Sequence, residues 1–260
     1  FLIDDKRHIK TYFNLTLLNL FGLLILLLIT LVIFSPILFI IVKGINKELL
    51  YILTSTYLWE AIYNTLIICF FSGIASIFIV YNLLVLTHKK TKISESLIYS
   101  LIIFSPAVMA VGYYILLFKL NLMYLPNIII VIILNSFFVL PFTYNYLAPS
   151  FFRVIEENDD IANSLNLYGL SRFLTIDLPR LKKSLITAFC VSSILSASDL
   201  VVISFFGTNN LSTLTQTIYR LMGSYRMNEA YSVSLILLMF CFIYFFLAHK
   251  ILEKNKWNIH

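Results

Sequence analysis

Charge is what this sequence has least of. Only 12% of its 260 residues are Asp, Glu, Lys or Arg, against 60% hydrophobic, whereas soluble domains carry roughly 25% charged residues. That scarcity, with a mean hydropathy of +0.91, excludes a soluble globular chain and points to an all-α polytopic membrane protein. Cysteine is scarce as well: Cys69, Cys190 and Cys241 lie in three separate apolar runs without metal-ligand spacing, and read as small buried hydrophobes. The four histidines, His8, His88, His249 and His260, sit in polar segments beside apolar runs, which suits interfacial residues better than a metal site or a proton relay. Catalytic motifs are missing too. There is no Gly-x-Ser-x-Gly, no His-Glu-x-x-His, no pair of intramembrane carboxylates and no Gly-rich phosphate loop ending in Lys-Ser/Thr. The chain is therefore expected to be no enzyme and to hold no cofactor or metal. The net charge of +6 comes from dispersed Lys and Arg that form no basic stripe, which argues against a nucleic-acid partner. The first residue is Phe1, with no cleavable signal pattern ahead of the first apolar run. The N-terminus therefore reads as a processed, trimmed or internal position.

What is present is a series of apolar runs long enough to cross a bilayer. After a polar lead over 1–14, six spans are expected within 15–252: about 15–42, 61–86, 97–118, 127–147, 181–206 and 232–252. A tail at 253–260 follows. Residues 43–60, with Tyr51, Tyr57 and Trp59 among Leu and Ile, suggest a segment lying in the interface. Pro106 and Gly112 fall inside the third expected span, and Pro141 is expected to interrupt the fourth.

Orientation follows from the basic residues. With the N-terminus inside, the cytoplasmic segments hold 14 of the 19 Lys and Arg, among them Lys89, Lys90, Lys92, Arg180, Lys182 and Lys183, and the outer segments hold only Lys43, Lys47, Lys119, Arg220 and Arg226. This bias places both termini and the polar loop at 148–180 in the cytoplasm.

That loop reads as helix, turn, helix. Ile161, Ala162 and Leu165 share one helical face after Asp160, and Asn166 stands where the helix should stop, because Asn tolerates the left-handed conformation. Ser171 is placed to cap a second turn carrying Phe173 and Ile176, and Leu178-Pro179 precedes the next apolar run. In this order the residues resemble the EAA loop of permease subunits in binding-protein-dependent ABC importers. Asp160 stands for the family's Glu, Ile161 and Ala162 for its two Ala, Asn166 for its Gly, Phe173 for its aromatic and Ile176 for its β-branched residue, before the closing Leu178-Pro179. The departures are a shorter acid, a bulkier second position and Asn in place of Gly. The resemblance implies a type I importer fold and a coupling helix that docks on a cytosolic ATPase subunit.

Asp199, in Ser196-Ala-Ser-Asp, is the only acid inside an expected span. Two readings stand: a carboxylate in the translocation path, with Ser196 and Ser198 beside it, or a helix-end acid bonded to neighbouring hydroxyls. The outer segment at 207–231 is too patterned for a minimal turn. Leu214, Ile218 and Leu221 fit one face of an interfacial helix, leaving Tyr219, Arg220, Tyr225 and Arg226 for a periplasmic partner or a solute. The run from Asp199-Leu-Val through Phe-Gly-Thr-Asn-Asn to Tyr-Arg-Leu-Met-Gly-Ser-Tyr-Arg resembles the C-terminal half of thiamine transporter permeases, relatives of the ferric-iron permeases. That resemblance implies thiamine or its phosphates as solute, a periplasmic solute-binding protein, a second permease half and a bacterial inner-membrane location. A ferric-iron or other small-solute permease, or a truncated half serving as a membrane scaffold, are the alternatives.

Overall fold

A bilayer offers no water to backbone amides, so apolar runs of this length must close their hydrogen bonds internally. In the computed structural model, which describes residues 16–87, 91–121, 126–167, 169–208 and 211–254, all the regular elements are helical. They are α1 (Thr16–Gly44), α2 (Lys47–Leu53), α3 (Thr56–Thr87), α4 (Thr91–Ile103), α5 (Pro106–Lys119), α6 (Asn127–Ser164), α7 (Gly169–Arg172), a π-helical turn (Phe173–Asp177), α8 (Leu178–Ala197), α9 (Val201–Phe206), α10 (Leu214–Gly223) and α11 (Met227–Lys254). Among the described residues four helices, α1, α3, α6 and α11, are long and apolar enough to cross a membrane, and the bent pair α4 and α5 makes a fifth if it is one span.

Three expectations change. The third expected span is two helices bent by 90°, because Pro106 supplies no N–H and pushes Ser105 out of the helical region, to ψ 133. The fifth is likewise two helices, α8 and α9, broken at Ser198–Leu200. The fourth, expected to be interrupted at Pro141 and to end at 147, runs unbroken past Pro141 and Pro149 to Ser164. Each proline deletes a single N–H, and the rest of the ladder continues. The first helix of the polar loop is thus the last turns of α6.

The centre of the molecule is α3, α6 and α8 packed side by side, with Val80, Leu84, Leu140, Leu147, Phe151 and Leu181 in one buried cluster. Small residues let these helices approach. A Cβ added at Gly73 of α3 would lie 2.5 Å from Ser193 Oγ of α8. Hydroxyls and amides tie the same seam: Thr143 donates to Ser76 Oγ at 3.2 Å, and Asn135 donates to Ser196 Oγ at 3.2 Å. Cys69 and Cys190 are buried free thiols and Cys241 is half-buried, in keeping with their reading as hydrophobes. His8, His88 and His260, and with them Lys89 and Lys90, lie outside the described residues.

Candidate functional site

The turn after α6 is built from hydrogen bonds that end a helix. Leu167 N–H donates to Ala162 O at 2.9 Å and Asn166 N–H to Asn163 O at 3.1 Å, the paired bonds of a Schellman ending, which needs a left-handed residue between them. Asn166 supplies it at φ 53, as its spacing predicts, and Gly169 takes φ 57 just beyond. Asp160 and Leu165 are exposed, Ala162 is fully buried, and Ile161 lies in the same last turns of α6. Ser171 lies inside α7 rather than capping a helix. Phe173 and Ile176 are half-buried in the π-helical turn, and Leu178 and Pro179 open α8 with exposed side chains.

The sequence reading missed the polar cluster under this turn. Asp177 is only 3% exposed. Its Oδ2 accepts a 2.6 Å hydrogen bond from the Tyr81 hydroxyl of α3, while Arg172 donates to Asp159 Oδ1 at 2.7 Å and holds its Nε 3.7 Å from Asp177 Oδ1. The rings of Tyr81 and Phe173 lie 4.7 Å apart. A loop residue and a membrane helix are joined here by a charge-assisted hydrogen bond and an aromatic contact. The acid directly before Leu178-Pro179 was the available signal, but its partner is 96 residues away in the chain. Beside the cluster, a cavity of about 650 Å³ opens between α3, the end of α6 and the turn.

Asp199 is not inside a helix. It stands at the break after α8, and its two carboxylate oxygens accept from the backbone N–H groups of Val201 (3.2 Å) and Val202 (3.0 Å), capping α9. Its bonds go to backbone amides, not to the serine hydroxyls of the alternative reading. Ser196 is buried against Asn135, whereas Ser198 is exposed and donates to Leu195 O. Neither serine hydroxyl bonds to the Asp199 carboxylate, although the Asp199 N–H donates to Ser196 O at 3.3 Å.

The helix α10 also departs from expectation. Leu214, Thr217 and Leu221 are buried, and Leu214, Leu221 and the partly buried Ile218 pack against α2, α3 and α11. Its apolar face meets protein instead of lipid, because these three helices present Ile52, Leu58, Ala61 and Val233 to it. Tyr219, Arg220 and Tyr225 are exposed. Arg226 is exposed but engaged, its Nε donating to Glu229 Oε1 at 2.6 Å, and this hydrogen bond holds the guanidinium further into its charged range.

Fold and composition together define the class: a polytopic, all-helical membrane protein with a polar helix-turn-helix beside its central three helices. No family model matches the chain. Over nearly its whole length it is similar to proteins named thiamine transport system permease protein ThiP: 29% identical to that of Escherichia coli over 97% of this chain and 47% of the relative. The Haemophilus influenzae protein of that name is 29% identical over 89% of this chain and 45% of the relative, and the Brucella abortus one 25% over 92% and 45%. The chain thus spans about half the length of the curated relatives it matches.

Proposed function

We propose that the chain is one half of the membrane pathway of an ATP-driven importer for thiamine or a thiamine phosphate, and that it corresponds to a C-terminal permease half. The observation that carries this reading is the similarity to thiamine transport permeases along 97% of the chain. The chemistry fits a transport subunit that hydrolyses nothing itself, with ATP consumed by separate cytosolic subunits docked on Asp160 to Pro179. Exposed Asp160, Leu165, Leu174 and Leu178 form the docking face, and the Tyr81–Asp177 bond carries its movement to α3. Rocking of the packed helices would then expose the path alternately to each side. The excess of basic residues on one side supports an orientation with that face and both termini in the cytoplasm of a bacterial inner membrane. Tyr219, Arg220 and Tyr225 face a periplasmic binding protein, and a second permease half completes the path. Asp199 stands at a broken helix of the kind transporters use to build solute sites. Co-purification tests the docking face: the intact protein should retain its ATPase subunit, and Asp160→Ala combined with Asn166→Val should lose most of it. Equal retention by both would show that the subunit docks elsewhere.

A further inference from the structure

We propose that Arg172 is a positioning residue with two stations: paired with Asp159 in this conformation, and with Asp177 once the docking loop is displaced, the π-helical turn supplying the travel. The inference rests on the reading of Asp160 to Pro179 as a docking loop and names the residue that registers its movement. In this conformation the pairing is uneven. Arg172 gives its 2.7 Å bond to Asp159, whose side chain is 46% exposed, and an exposed ion pair contributes little. The buried Asp177 needs a cation more, yet Arg172 Nε stops 3.7 Å from its Oδ1. Two complementary atoms are left over: Asp177 Oδ1, an acceptor, and Arg172 Nη2, a donor, are buried without a hydrogen-bond partner. Both are closed off from the cavity, so each must be satisfied from within the cluster. Nε and Nη2 share one edge of the guanidinium, an edge that can meet a carboxylate with two parallel bonds. Closing the gap to hydrogen-bond distance would engage that edge with Asp177, while the bond given up, to exposed Asp159, is one that water replaces.

The turn can supply the movement. Leu178 N–H donates to Phe173 O, five residues back, so the turn holds one residue more than an α-helical turn. Pro179 is the local cause, since its ring crowds the carbonyl of Thr175 and it has no N–H to offer it. Moving the Leu178 bond to Leu174 O would take up the extra residue and turn Arg172 relative to α8. Gly169, at φ 57 with nothing within 4 Å of an added Cβ, is a hinge before α7. The cavity of about 650 Å³, lined by Gly169, Arg172 and Phe173, gives that side of the turn room. Asp177, by contrast, is held to α3 by Tyr81. Paired with Asp159, Arg172 ties the loop to the end of α6, and paired with Asp177 it ties the loop to α3.

Spin labels at Ser171→Cys and Leu86→Cys, both exposed, read the distance from α7 to α3 in the full-length protein in lipid nanodiscs, with Cys69, Cys190 and Cys241 replaced by Ala. Asp159→Asn removes the first station and should shift the population several-fold toward a second distance. Adding Asp177→Asn removes the second station and should return the wild-type distance, although one more charge is lost. A cluster that only holds the fold together would be loosened further by the second substitution, so a shift that is not reversed overturns the proposal. Wild-type distances in Asp159→Asn alone, a change at an exposed acid, also overturn it, which keeps the test open if the double variant does not fold. Neither comparison needs the ATPase subunit, so the reading of the loop is tested separately. With that subunit bound, a non-hydrolysable ATP analogue should move the wild-type chain to the distance seen in Asp159→Asn. A shift reversed by Asp177→Asn in a wild-type chain that the analogue leaves unmoved upholds the two stations and overturns the docking reading.

Discussion

Two turns of the chain have the same hydrogen bonds and unequal residues. Asn166 ends α6 at φ 53 and Tyr225 ends α10 at φ 60, where Arg226 N–H donates to Leu221 O and Tyr225 N–H to Met222 O. Asn occupies the left-handed region with little strain, whereas a bulky residue there costs about 1–2 kcal/mol. Tyr225 is 89% exposed, so no packing in this chain offsets the strain, and such outliers cluster at functional sites. Replacing Tyr225 with Gly should raise the thermal midpoint by about 2–4 °C per kcal/mol recovered and lower binding-protein-dependent uptake. A stabilised variant with full uptake would leave the tyrosine without a role in partner contact. Asp199 separates charge from geometry in the same way. Asn caps helices as well as Asp, so Asp199→Asn should keep α9 in place through its one accepting oxygen, losing one of the two bonds from Val201 and Val202. If the carboxylate attracts a cationic solute, radiolabelled thiamine uptake falls several-fold in Asp199→Asn with the complex still assembled. Full uptake in Asn combined with loss in Asp199→Ala would assign the residue to the cap alone. The position of Asn166 was legible because a helix ending is written in local spacing. The Tyr81–Asp177–Arg172 cluster was not, since each partner comes from a different element and only folding brings them together.

At the scale of elements, hydropathy located the apolar runs but not their continuity. Pro141 looks like a break in sequence, yet α6 passes it and Pro149 whole, while Pro106 divides α4 from α5. The difference lies in what surrounds each proline, which a single sequence does not record: a membrane helix passes through a proline when neighbours accommodate the freed carbonyl. The face of α10 was read correctly as apolar, but its period alone could not say whether protein or lipid would cover it. Packing predicts which glycines matter. Gly73 sits against Ser193 and Phe189, and Gly112 has nothing within 4 Å of an added Cβ. Gly73→Leu should therefore part α3 from α8 and cost about 1–3 kcal/mol or more. Gly112→Ala should be neutral or stabilising by up to about 1 kcal/mol. Thermal unfolding of the two variants in detergent checks the contrast, and equal midpoints would mean the α3–α8 seam is looser than described.

For the whole molecule, the open question of physics is which way the bundle faces. Burial does not decide it, because α1 packs on α11 near its end, where the Phe39 ring lies 5.6 Å from that of Tyr231 and Gly44 is buried, and its apolar, exposed side chains over 21–35 would be covered by lipid or by a second half in either orientation. The basic residues predict it. Moving a cluster such as Arg180, Lys182 and Lys183 across the bilayer is costly, so segments rich in Lys and Arg stay on the cytoplasmic side. Leu165, 62% exposed beside Asn166, should then lie inside, and Tyr225, 89% exposed after α10, outside. Cys69, Cys190 and Cys241 can be replaced by Ala or Ser with little change of volume, which leaves a background for single labels. In intact cells a membrane-impermeant maleimide should modify Tyr225→Cys at once and Leu165→Cys only after the membrane is opened. The opposite pattern would put the turn at Asn166 on the outer face, beyond the reach of any cytosolic ATPase, and the docking role would fall even if thiamine were the solute.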